Sequence, residues 1–478
     1  MTLRSGELEL SIEGSGSSRR LRVISPLATD QKGFEGTSSE SSLGVVLEGP
    51  LSAKNARAVR LVAPWLTPRP LGLHTSAGVG DRLGLATPGQ ARAFKNFGQG
   101  IIPVFAQQSI REMNRLNREP QDVLDDATFG CVQAGWDGAV GADADHLKTT
   151  QEIDRCLAAG FTSFTLDPGE YVRAVSKNVS DQELLDLPWG DLEDDLASMT
   201  KRYRELDIDL EGGPIVIDDL EIRRAAAKYG TAVAYTVGMY RHLINVAQYQ
   251  VEVEISVDET DELTTVVEHI YMATEMRRLG MDWVSYAPRY VGGFEKGVDY
   301  IGDTDVFSES ITRHAQIARA LGPYKLSLHS GSDKFSIYDL ASSAIGPMVH
   351  LKTSGTSYLE ALGIAAKFAP ELFREIYAVS REAYRGARAS YQVSAQIDNT
   401  PEPQGVPEQE LASLVVNFDS RQILHVGYGA VLTMLDGNGD KALDQGLRSV
   451  LEAHEIDFEE ALEMHLGRHL KPFSKELK

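Results

Sequence analysis

Acidic and imidazole side chains stand at the ends of apolar segments in this chain, where they could bind a metal ion and move protons. The clearest case is residues 251–258, in which Val and Ile alternate with Glu252, Glu254, Ser256 and Asp258. In a strand this alternation places all four polar side chains on one face. A surface strand could leave them in water, whereas a strand among neighbours that also end in polar residues would direct them into a catalytic pocket.

Most of the other candidate strands also end in polar residues. These termini are Gln107, Gln108, Asp143, Asp145, His146, Asp167, Arg289, His329, His350 and Lys352. So many polar termini predict a polar pocket rather than chance solvation. A buried group that contains Asp145, Glu254 and Asp258 would repel itself unless protons or a cation compensated its charge.

A divalent metal ion bound by imidazoles would supply this compensation. We predict His146 and His329 as the best ligands, His350 as the third, and a carboxylate or water to complete the set. A lone strand histidine is more often structural than metal-binding. Three of them at the ends of separate strands, beside several acids, make the two interpretations about equal. The sequence does not distinguish Zn, Mn, Ni, Co or Fe.

Two glycine-containing loops, residues 330–334 and 353–357, follow the last two candidate strands. Barrels often bind phosphate at this place through backbone N–H groups, and a carboxylate can use the same donors. Lys334 or Lys352 would then be the counter-charge. The predicted substrate-binding residues are Gln107, Gln108, Asp258, Arg289, Lys334 and Lys352.

From about residue 70, short apolar segments alternate with longer helical segments. The candidate strands are residues 71–75, 101–106, 140–145, 161–166, 251–257, 283–287, 324–328 and 347–351. The candidate helices between them are residues 91–96, 149–158, 263–279, 308–321 and 358–368. Eight strands that alternate with helices predict an α/β fold of the (β/α)8 TIM-like barrel type. The competing doubly wound sheet is disfavoured because no Gly-x-Gly-x-x-Gly turn follows a strand.

We predict three domains. Residues 1–65 form a small N-terminal β-rich unit, with strands near 8–12, 21–24 and 43–47 and a Ser-rich loop at 37–42. Residues 66–400 form the catalytic barrel, with a helical insertion at about 170–250. Residues 401–478 form a helical C-terminal extension that packs on the barrel. A strand-like segment at 391–395 and a Pro-rich loop at 400–408 lie near the last boundary.

Charge and composition limit the partners. The formal net charge of −22 disfavours a nucleic-acid partner, because phosphate neutralisation requires clustered Lys and Arg. Two cysteines, Cys131 and Cys156, are too few for a disulfide scaffold. The first residues do not resemble a signal peptide, and no stretch approaches the ~18 apolar residues of a membrane span. We therefore expect a soluble, cytoplasmic protein with no membrane partner.

Several ordered sequence blocks give a more specific signal. They are Gly80-Asp-Arg-Leu-Gly, Phe105-Ala-Gln-Gln-Ser-Ile-Arg-Glu, Asp125-Asp-Ala-Thr-Phe-Gly, Gly141-Ala-Asp-Ala-Asp-His-Leu-Lys, Ser256-Val-Asp-Glu-Thr, Ser327-Leu-His-Ser-Gly-Ser-Asp-Lys-Phe-Ser and Lys352-Thr-Ser-Gly-Thr-Ser-Tyr-Leu-Glu. In these blocks, from about residue 75 to beyond His425, the chain resembles the tagaturonate epimerases.

The resemblance implies a metal-dependent epimerase that interconverts D-tagaturonate and D-fructuronate in hexuronate catabolism. It also implies that Asp145 is the catalytic base, that Glu254 is the catalytic acid, and that His146 and His329 are metal ligands. The assignment of His350 rests on its strand position and not on the resemblance.

The substrates constrain the mechanism. With the ketone counted as C2, the two sugar acids differ at C4, which enolisation does not acidify. We therefore hypothesise a retro-aldol route, with the metal as Lewis acid and template and with Asp145 and Glu254 handling protons.

Three alternatives remain open from the sequence. One is a C4-epimerase of a neutral ketose such as tagatose or fructose, which would not need a cation for a substrate carboxylate. Another is a metal-dependent aldolase that releases its fragments. The third is a non-catalytic barrel that binds sugar acids. The sequence also does not distinguish a monomer from a homo-oligomer.

Overall fold

The N-terminal segment forms an antiparallel sheet. The computed structural model describes residues 2–175, 178–211, 213–353 and 355–475, without the side chain of residue 17. Within these ranges the sheet has the strand order β1-β2-β3-β5-β4. Its strands are β1 (Leu3–Ser5), β2 (Leu8–Glu13), β3 (Arg20–Ser25), β4 (Thr37–Ser41) and β5 (Gly44–Gly49). The Ser-rich segment predicted as a loop is therefore the edge strand β4. Every residue of β4 is exposed, so no apolar alternation marks it in the sequence.

A second, parallel sheet forms the centre of the molecule. The strands that follow in the chain are β6 (Ser76–Gly78), β7 (Ile102–Val104), β8 (Ala106–Ser109), β9 (Ala142–Leu147), β10 (Ser163–Leu166), the short hairpin β11 (Asp209–Leu210) and β12 (Gly213–Pro214), and then β13 (Glu252–Ser256), β14 (Ser285–Ala287), β15 (Lys325–Leu328) and β16 (Val349–Lys352). Across the described residues, the parallel sheet has the order β7-β6-β16-β15-β14-β13-β10-β9-β8.

The two edges of this sheet meet, so that it closes into a barrel. The edge strands β7 and β8 are consecutive in the chain and are separated only by Phe105. Beside this break, the Gly141 N–H donates to the carbonyl oxygen of Pro103 at 2.9 Å, which links β7 to the segment that leads into β9. The predicted TIM-like barrel, with its β-rich N-terminal unit and its helical additions, is confirmed.

Helices connect the barrel strands and cover their outer faces. In the described part of the chain they are α1 (Ala53–Val62), α2 (Thr87–Phe97), α3 (Ile110–Leu116), α4 (Pro120–Ala134), α5 (Thr150–Ala159), α6 (Asp181–Leu185), α7 (Leu196–Arg204), α8 (Asp219–Val246), α9 (Val266–Arg278), α10 (Thr304–Ala320), α11 (Tyr338–Ile345), α12 (Thr356–Phe368), α13 (Pro370–Ala387), α14 (Phe418–Thr433), α15 (Ala442–Ala453) and α16 (Glu455–Leu470). Helices α6 to α8 and the hairpin form the insertion between β10 and β13. None of the helices in the described ranges is long and apolar enough to cross a membrane.

Local sequence signals fix where the barrel helices begin. Helix α5 starts after a capping box in which Thr149 and Glu152 each bond to the backbone N–H of the other. Thr265 and Glu268 form the same box at the start of α9. The boxes end the loops that follow β9 and β13, and Asp258 lies in the second of these loops.

Two of the predicted strands do not form at the predicted residues. Residues 71–75 form a turn, and the first barrel strand is β6, immediately after them. Residues 391–395 have no strand and instead form an irregular segment near the C-terminal helices. Ser354, in the second predicted anion loop, and residues 476–478 of the predicted C-terminal extension lie outside the described residues.

The hydrophobic core has two large parts. One buried cluster includes side chains from the N-terminal sheet, such as Leu10 and Val23, together with barrel side chains such as Phe105. The other joins helices α12 to α16. The N-terminal sheet is thus part of the barrel core, and the domain boundaries at residues 65 and 400 remain predictions.

Glu252 closes the N-terminal end of the barrel. Its Oε2 accepts the backbone N–H groups of Leu71 at 2.8 Å and Gly72 at 2.7 Å, and its Oε1 accepts the Ser163 hydroxyl at 2.5 Å. These contacts hold the turn before β6 beneath the strands β10 and β13. The deepest acid of the alternating strand is therefore a structural anchor.

We expect Glu252→Ala to lower the free energy of unfolding by about 2–3 kcal/mol, because charge-assisted hydrogen bonds are lost and the backbone N–H groups of Leu71 and Gly72 lose their acceptor. Urea unfolding measures the change. The matched control is Glu40→Ala in the exposed strand β4, which should stay within about 0.5 kcal/mol of the parent. Equal losses in the two variants would contradict the anchoring role.

Candidate active site

A β-bulge in β9 turns two consecutive side chains toward the C-terminal end of the barrel. The register between β9 and β10 shifts between Phe164 and Leu166, and His146 adopts a left-handed φ of 55°. In a regular strand, Asp145 and His146 would face opposite sides. Here Asp145 Oδ1 lies 3.8 Å from His146 Nε2, so both side chains point into the same site.

Two imidazoles converge above the bulge. Nε2 of His146 lies 3.3 Å from Nδ1 of His329, which follows β15. A carboxylate holds the far nitrogen of each ring: Asp167 Oδ2 lies 3.1 Å from His146 Nδ1, and Glu254 Oε1 lies 2.6 Å from His329 Nε2. Carboxylates orient metal-ligating histidines in this way.

Further carboxylates face the converging nitrogens. Asp258 Oδ1 lies 3.1 Å from His329 Nδ1 and 4.0 Å from His146 Nε2. Ligand atoms of Asp145, His146 and His329 all lie within 4.8 Å of one another. Burial lowers the pKa of His146, but Asp145 and Glu259 outweigh burial and raise it to about 10. The site thus favours a positive charge, and its imidazole and carboxylate donors suit a divalent transition metal.

The ammonium group of Lys352 occupies the centre of the barrel interior below the imidazoles. It lies 2.8 Å from Asp143 Oδ2, 2.7 Å from Asp145 Oδ1 and 2.8 Å from Glu254 Oε1, and it donates to the Thr165 hydroxyl at 2.7 Å. Burial opposes its charge, but the three carboxylates raise the pKa of Lys352 well above its ordinary value. This lysine is the counter-charge of the buried acids.

The same ammonium sets the ionisation of the two predicted acid–base residues. Burial raises the pKa of a carboxyl group, yet Lys352 and His146 hold the pKa of Asp145 below its ordinary value. Lys352 and His329 likewise hold the pKa of Glu254 well below its ordinary value, against burial. Both carboxyl groups are therefore ionised at neutral pH. Asp143 differs, because burial outweighs Lys352 there and raises its pKa to about 6.

Three cavities surround this centre. The outer cavity, of about 210 Å³, is lined by residues that include Asp258, Arg289, Lys296, His329, Ser390 and Tyr391. The inner cavity is lined by residues that include Asp145, His146, His329, Lys352, Lys296 and His425. The lower cavity is lined by residues that include Asp143, Glu252, Glu254, Lys325 and His350. Asp145 thus lines the inner cavity, whereas Glu254 lies beneath it, behind Lys352 and His329.

His350 does not join the other two histidines. It pairs in register with Ser327, two residues before His329, so it lies one layer deeper in the barrel. Its Nδ1 lies 2.8 Å from the Ser76 hydroxyl. Burial lowers the pKa of His350 to about 3, which keeps the ring neutral. We therefore correct its predicted role as third ligand, and Asp258 stands in the better position.

Two of the predicted substrate-binding residues point away from the cavities. The Lys334 ammonium donates to backbone carbonyl oxygens of Glu295, Val298 and Ser332. Burial lowers the pKa of Lys334 to about 7. Gln108 lies on the outer face of β8, where its Oε1 accepts from Arg118. The sequence placed both residues near the barrel rim but did not show which way they point.

The remaining predicted residues stay close to the site. The amide of Gln107 is buried inside the barrel and has no hydrogen-bond partner among the described residues. Gly78 allows this packing, because a Cβ there would lie 2.8 Å from Gln107 Cγ. Arg289 lines the outer cavity, and its buried Nε also lacks a partner in the described ranges.

Sequence reasoning missed several polar residues around the outer cavity. Arg111 forms a bidentate ion pair with Glu259 at 2.8 and 3.1 Å, and its guanidinium lies 4.8 Å from the centre of the Tyr391 ring. Lys296 reaches the cavities from the loop after β14. Arg111 and Glu259 lie in two of the sequence blocks, and Glu259 also follows Asp258 directly, whereas Lys296 lies in none of the blocks.

The fold and the site define a class: an enzyme of the (β/α)8-barrel type with carboxylate, imidazole and ammonium groups at the C-terminal ends of its strands. A family profile described as tagaturonate epimerase matches residues 15–473. The chain belongs to the tagaturonate epimerase family, and the resemblance predicted from the sequence blocks is confirmed.

Individual relatives agree with this placement. The chain is 40% identical over 423 residues to the tagaturonate/fructuronate epimerase of Thermotoga maritima, covering 87% of this chain and 84% of that protein. It is also similar to two crystal structures of the fructuronate-tagaturonate epimerase of Cohnella laeviribosi, one native and one with glycerol. Both are 31% identical and cover 99% of this chain and 95% of that one, with TM-scores of 0.88 and 0.86.

We expect Lys352→Met to lower the free energy of unfolding at about pH 7.5 by roughly 3–5 kcal/mol, because it leaves buried carboxylates without their cation. Without Lys352, burial raises the pKa values of Asp145 and Glu254. The folded variant then binds protons that the unfolded chain has released, so its stability increases as the pH falls toward about 5.

Urea unfolding of parent and variant at the two pH values measures this change. The deficit should be smaller at the lower pH. Lys367→Met removes an exposed lysine, 61% exposed, and should change stability by less than about 0.5 kcal/mol. A deficit that does not depend on pH would contradict the role of Lys352 as the counter-charge.

Proposed function

We propose that this chain is a metal-dependent epimerase that interconverts D-tagaturonate and D-fructuronate at C4, in hexuronate catabolism. Family membership supports the substrate pair, since the similar proteins of Thermotoga maritima and Cohnella laeviribosi carry these sugar acids in their names. The observation that carries the chemistry is the convergence of His146, His329 and Asp145 at the C-terminal end of the barrel.

The residues present fit a divalent metal ion. His146 Nε2 and His329 Nδ1 would bind it, with Asp258 as the third ligand, while Asp167 and Glu254 orient the two rings. Such an ion would supply Lewis acidity and a fixed template for the oxygens of the substrate.

The position of the carbon that is inverted determines the chemical route of the epimerisation. C4 lies β to the ketone, so its hydrogen is not acidified by enolisation. Removal of the C4 hydroxyl proton instead allows the C3–C4 bond to break, and its electron pair passes to the C2 carbonyl as an enediolate. The C4 aldehyde then presents its other face, C3 attacks it, and the new alkoxide recovers a proton.

Asp145 is suited to be the base in this sequence. It lines the inner cavity, and its lowered pKa keeps it ionised and able to accept the C4 hydroxyl proton. Glu254 is also ionised, so it can act as an acid only after it has received a proton. Lys352 contacts both carboxylates and lies between them.

The experiment that tests this function is NMR of D-tagaturonate with the protein in D2O. We expect D-fructuronate signals to appear while hydrogen remains on C4, because the retro-aldol route never breaks the C4–H bond. Deuterium at C4 would rule out that route. Accumulation of the two three-carbon fragments without epimer would instead identify an aldolase.

Metal removal gives a second test. Dialysis against a chelator should abolish epimerisation, and divalent ions should restore it.

Asp167→Asn should weaken metal binding by roughly 10- to 100-fold, because the carboxylate of Asp167 orients the ring of His146. Competition with a chromogenic chelator measures the affinity. Glu170→Gln, in the same loop but 70% exposed, is the matched control and should bind normally. Unchanged affinity in Asp167→Asn would count against the assignment of His146 as a ligand.

A further inference from the structure

The retro-aldol route that we propose has a consequence for substrate binding. Cleavage of the C3–C4 bond leaves the carboxylate on the aldehyde fragment, C4 to C6, while C1 to C3 form the enediolate. An epimerase must keep this fragment until the bond re-forms, whereas an aldolase releases it. A cation that holds the carboxylate would therefore favour recombination over release.

Most cations around the cavities already have strong partners. Arg82 contacts the carboxylate of Glu112 and donates to the carbonyl oxygen of His425 at 3.0 Å. Arg111 is held by Glu259, Lys352 by three carboxylates, and Lys334 by three backbone carbonyl groups. A substrate carboxylate would have to displace these partners to bind any of the four.

Lys296 differs from these cations. Its ammonium donates a hydrogen bond to the Ser330 hydroxyl at 2.7 Å and forms no ion pair with any residue in the described ranges. Its charge helps to lower the pKa of Glu259, but that carboxylate is already paired with Arg111. It is half-buried and lines both the outer and the inner cavity. Arg289 lines the outer cavity, but it does not line the inner one.

The loop that carries Lys296 is fixed on both sides of this residue. Lys334 donates to the carbonyl oxygen of Glu295 at 2.8 Å and to that of Val298. The backbone N–H of Lys296 donates to the carbonyl oxygen of Gln392 at 3.3 Å. The backbone at Lys296 is thus held before a ligand binds, and the hydrogen bond to Ser330 directs the ammonium, which lowers the entropic cost of recognition.

We propose that Lys296 is the specificity-determining residue that binds the carboxylate of the hexuronate, and that Lys334 is a positioning residue for its loop. This proposal rests on the proposed function, because it takes a sugar acid as the substrate. The carboxylate end of the substrate then lies at the junction of the two cavities, and the reacting carbons lie toward Asp145 and the two imidazoles.

The test compares equilibrium binding of D-tagaturonate and of its neutral counterpart D-tagatose to the metal-loaded protein. Lys296→Met keeps most of the side-chain length and removes the charge. We expect it to weaken binding of tagaturonate by roughly 10- to 100-fold, the effect of losing a hydrogen bond to a charged group, and to change binding of tagatose by less than about 3-fold. Lys296→Arg keeps the charge and should recover most of the affinity for tagaturonate.

Two further variants show whether the effect belongs to Lys296. Lys367→Met removes an exposed charge and should bind both sugars normally. Arg289→Met tests the competing cation. A larger loss of tagaturonate binding in Arg289→Met than in Lys296→Met would overturn the proposal, as would equal losses of tagaturonate and tagatose in Lys296→Met.

Turnover gives a readout that a purely structural role would not change. In Lys296→Met we expect a fraction of the turnovers to release dihydroxyacetone and 2-hydroxy-3-oxopropanoate, because the fragment that carries the carboxylate is no longer held. NMR detects both fragments. If the parent protein binds tagaturonate but does not epimerise it, the proposed function fails, and the binding comparison still decides the role of Lys296. If the parent protein binds neither sugar, both proposals fail.

Discussion

The contact of one ammonium group with three buried carboxylates is the constraint on which the barrel interior depends. Lys352 touches Asp143, Asp145 and Glu254 within 2.8 Å, and all four side chains are buried. Removing charges from water costs several kcal/mol per ion, so the acids can stay ionised only because this cation and the imidazoles lie against them. The lysine therefore brings acids from β9 and β13 together and lowers the pKa values of Asp145 and Glu254.

Two carboxylates also connect the barrel interior to the imidazoles at its C-terminal end. Glu254 contacts Lys352 on one side and His329 on the other, so it links the charge centre to the converging imidazoles without lining the cavity that a substrate would enter. Asp167 fixes the second ring from the opposite direction. Because the supporting groups come from separate strands, the position of each ring depends on closure of the whole barrel. Precise geometry at the rim is thus a property of the closed sheet rather than of any single loop.

Much of this arrangement was predictable from the sequence, and the exceptions have physical reasons. Alternation in residues 251–258 predicted that Glu254 and Asp258 share a face, and the order of strands and helices predicted the barrel. Alternation does not show how deep in the barrel a residue lies, however. It therefore predicts His350 at the level of His329, although His350 lies one layer deeper. Nor does it reveal a bulge, and the convergence of Asp145 and His146 depends on one. Lys296 lies in an irregular loop with no periodic signal, and tertiary contacts alone bring it to the site.

The strand β13 combines two tasks in five residues. Its first acid anchors the floor through Leu71 and Gly72, and its later polar side chains build the site above. A register slip of one residue along the whole strand would move all of these groups to the outer face at once. A change in the length of this strand would therefore need a compensating bulge such as the one in β9, whereas exchanges of side chains and changes in the loops beyond its end need none. New specificities in such a scaffold should arise at the rim, above the column of acids that the barrel interior holds.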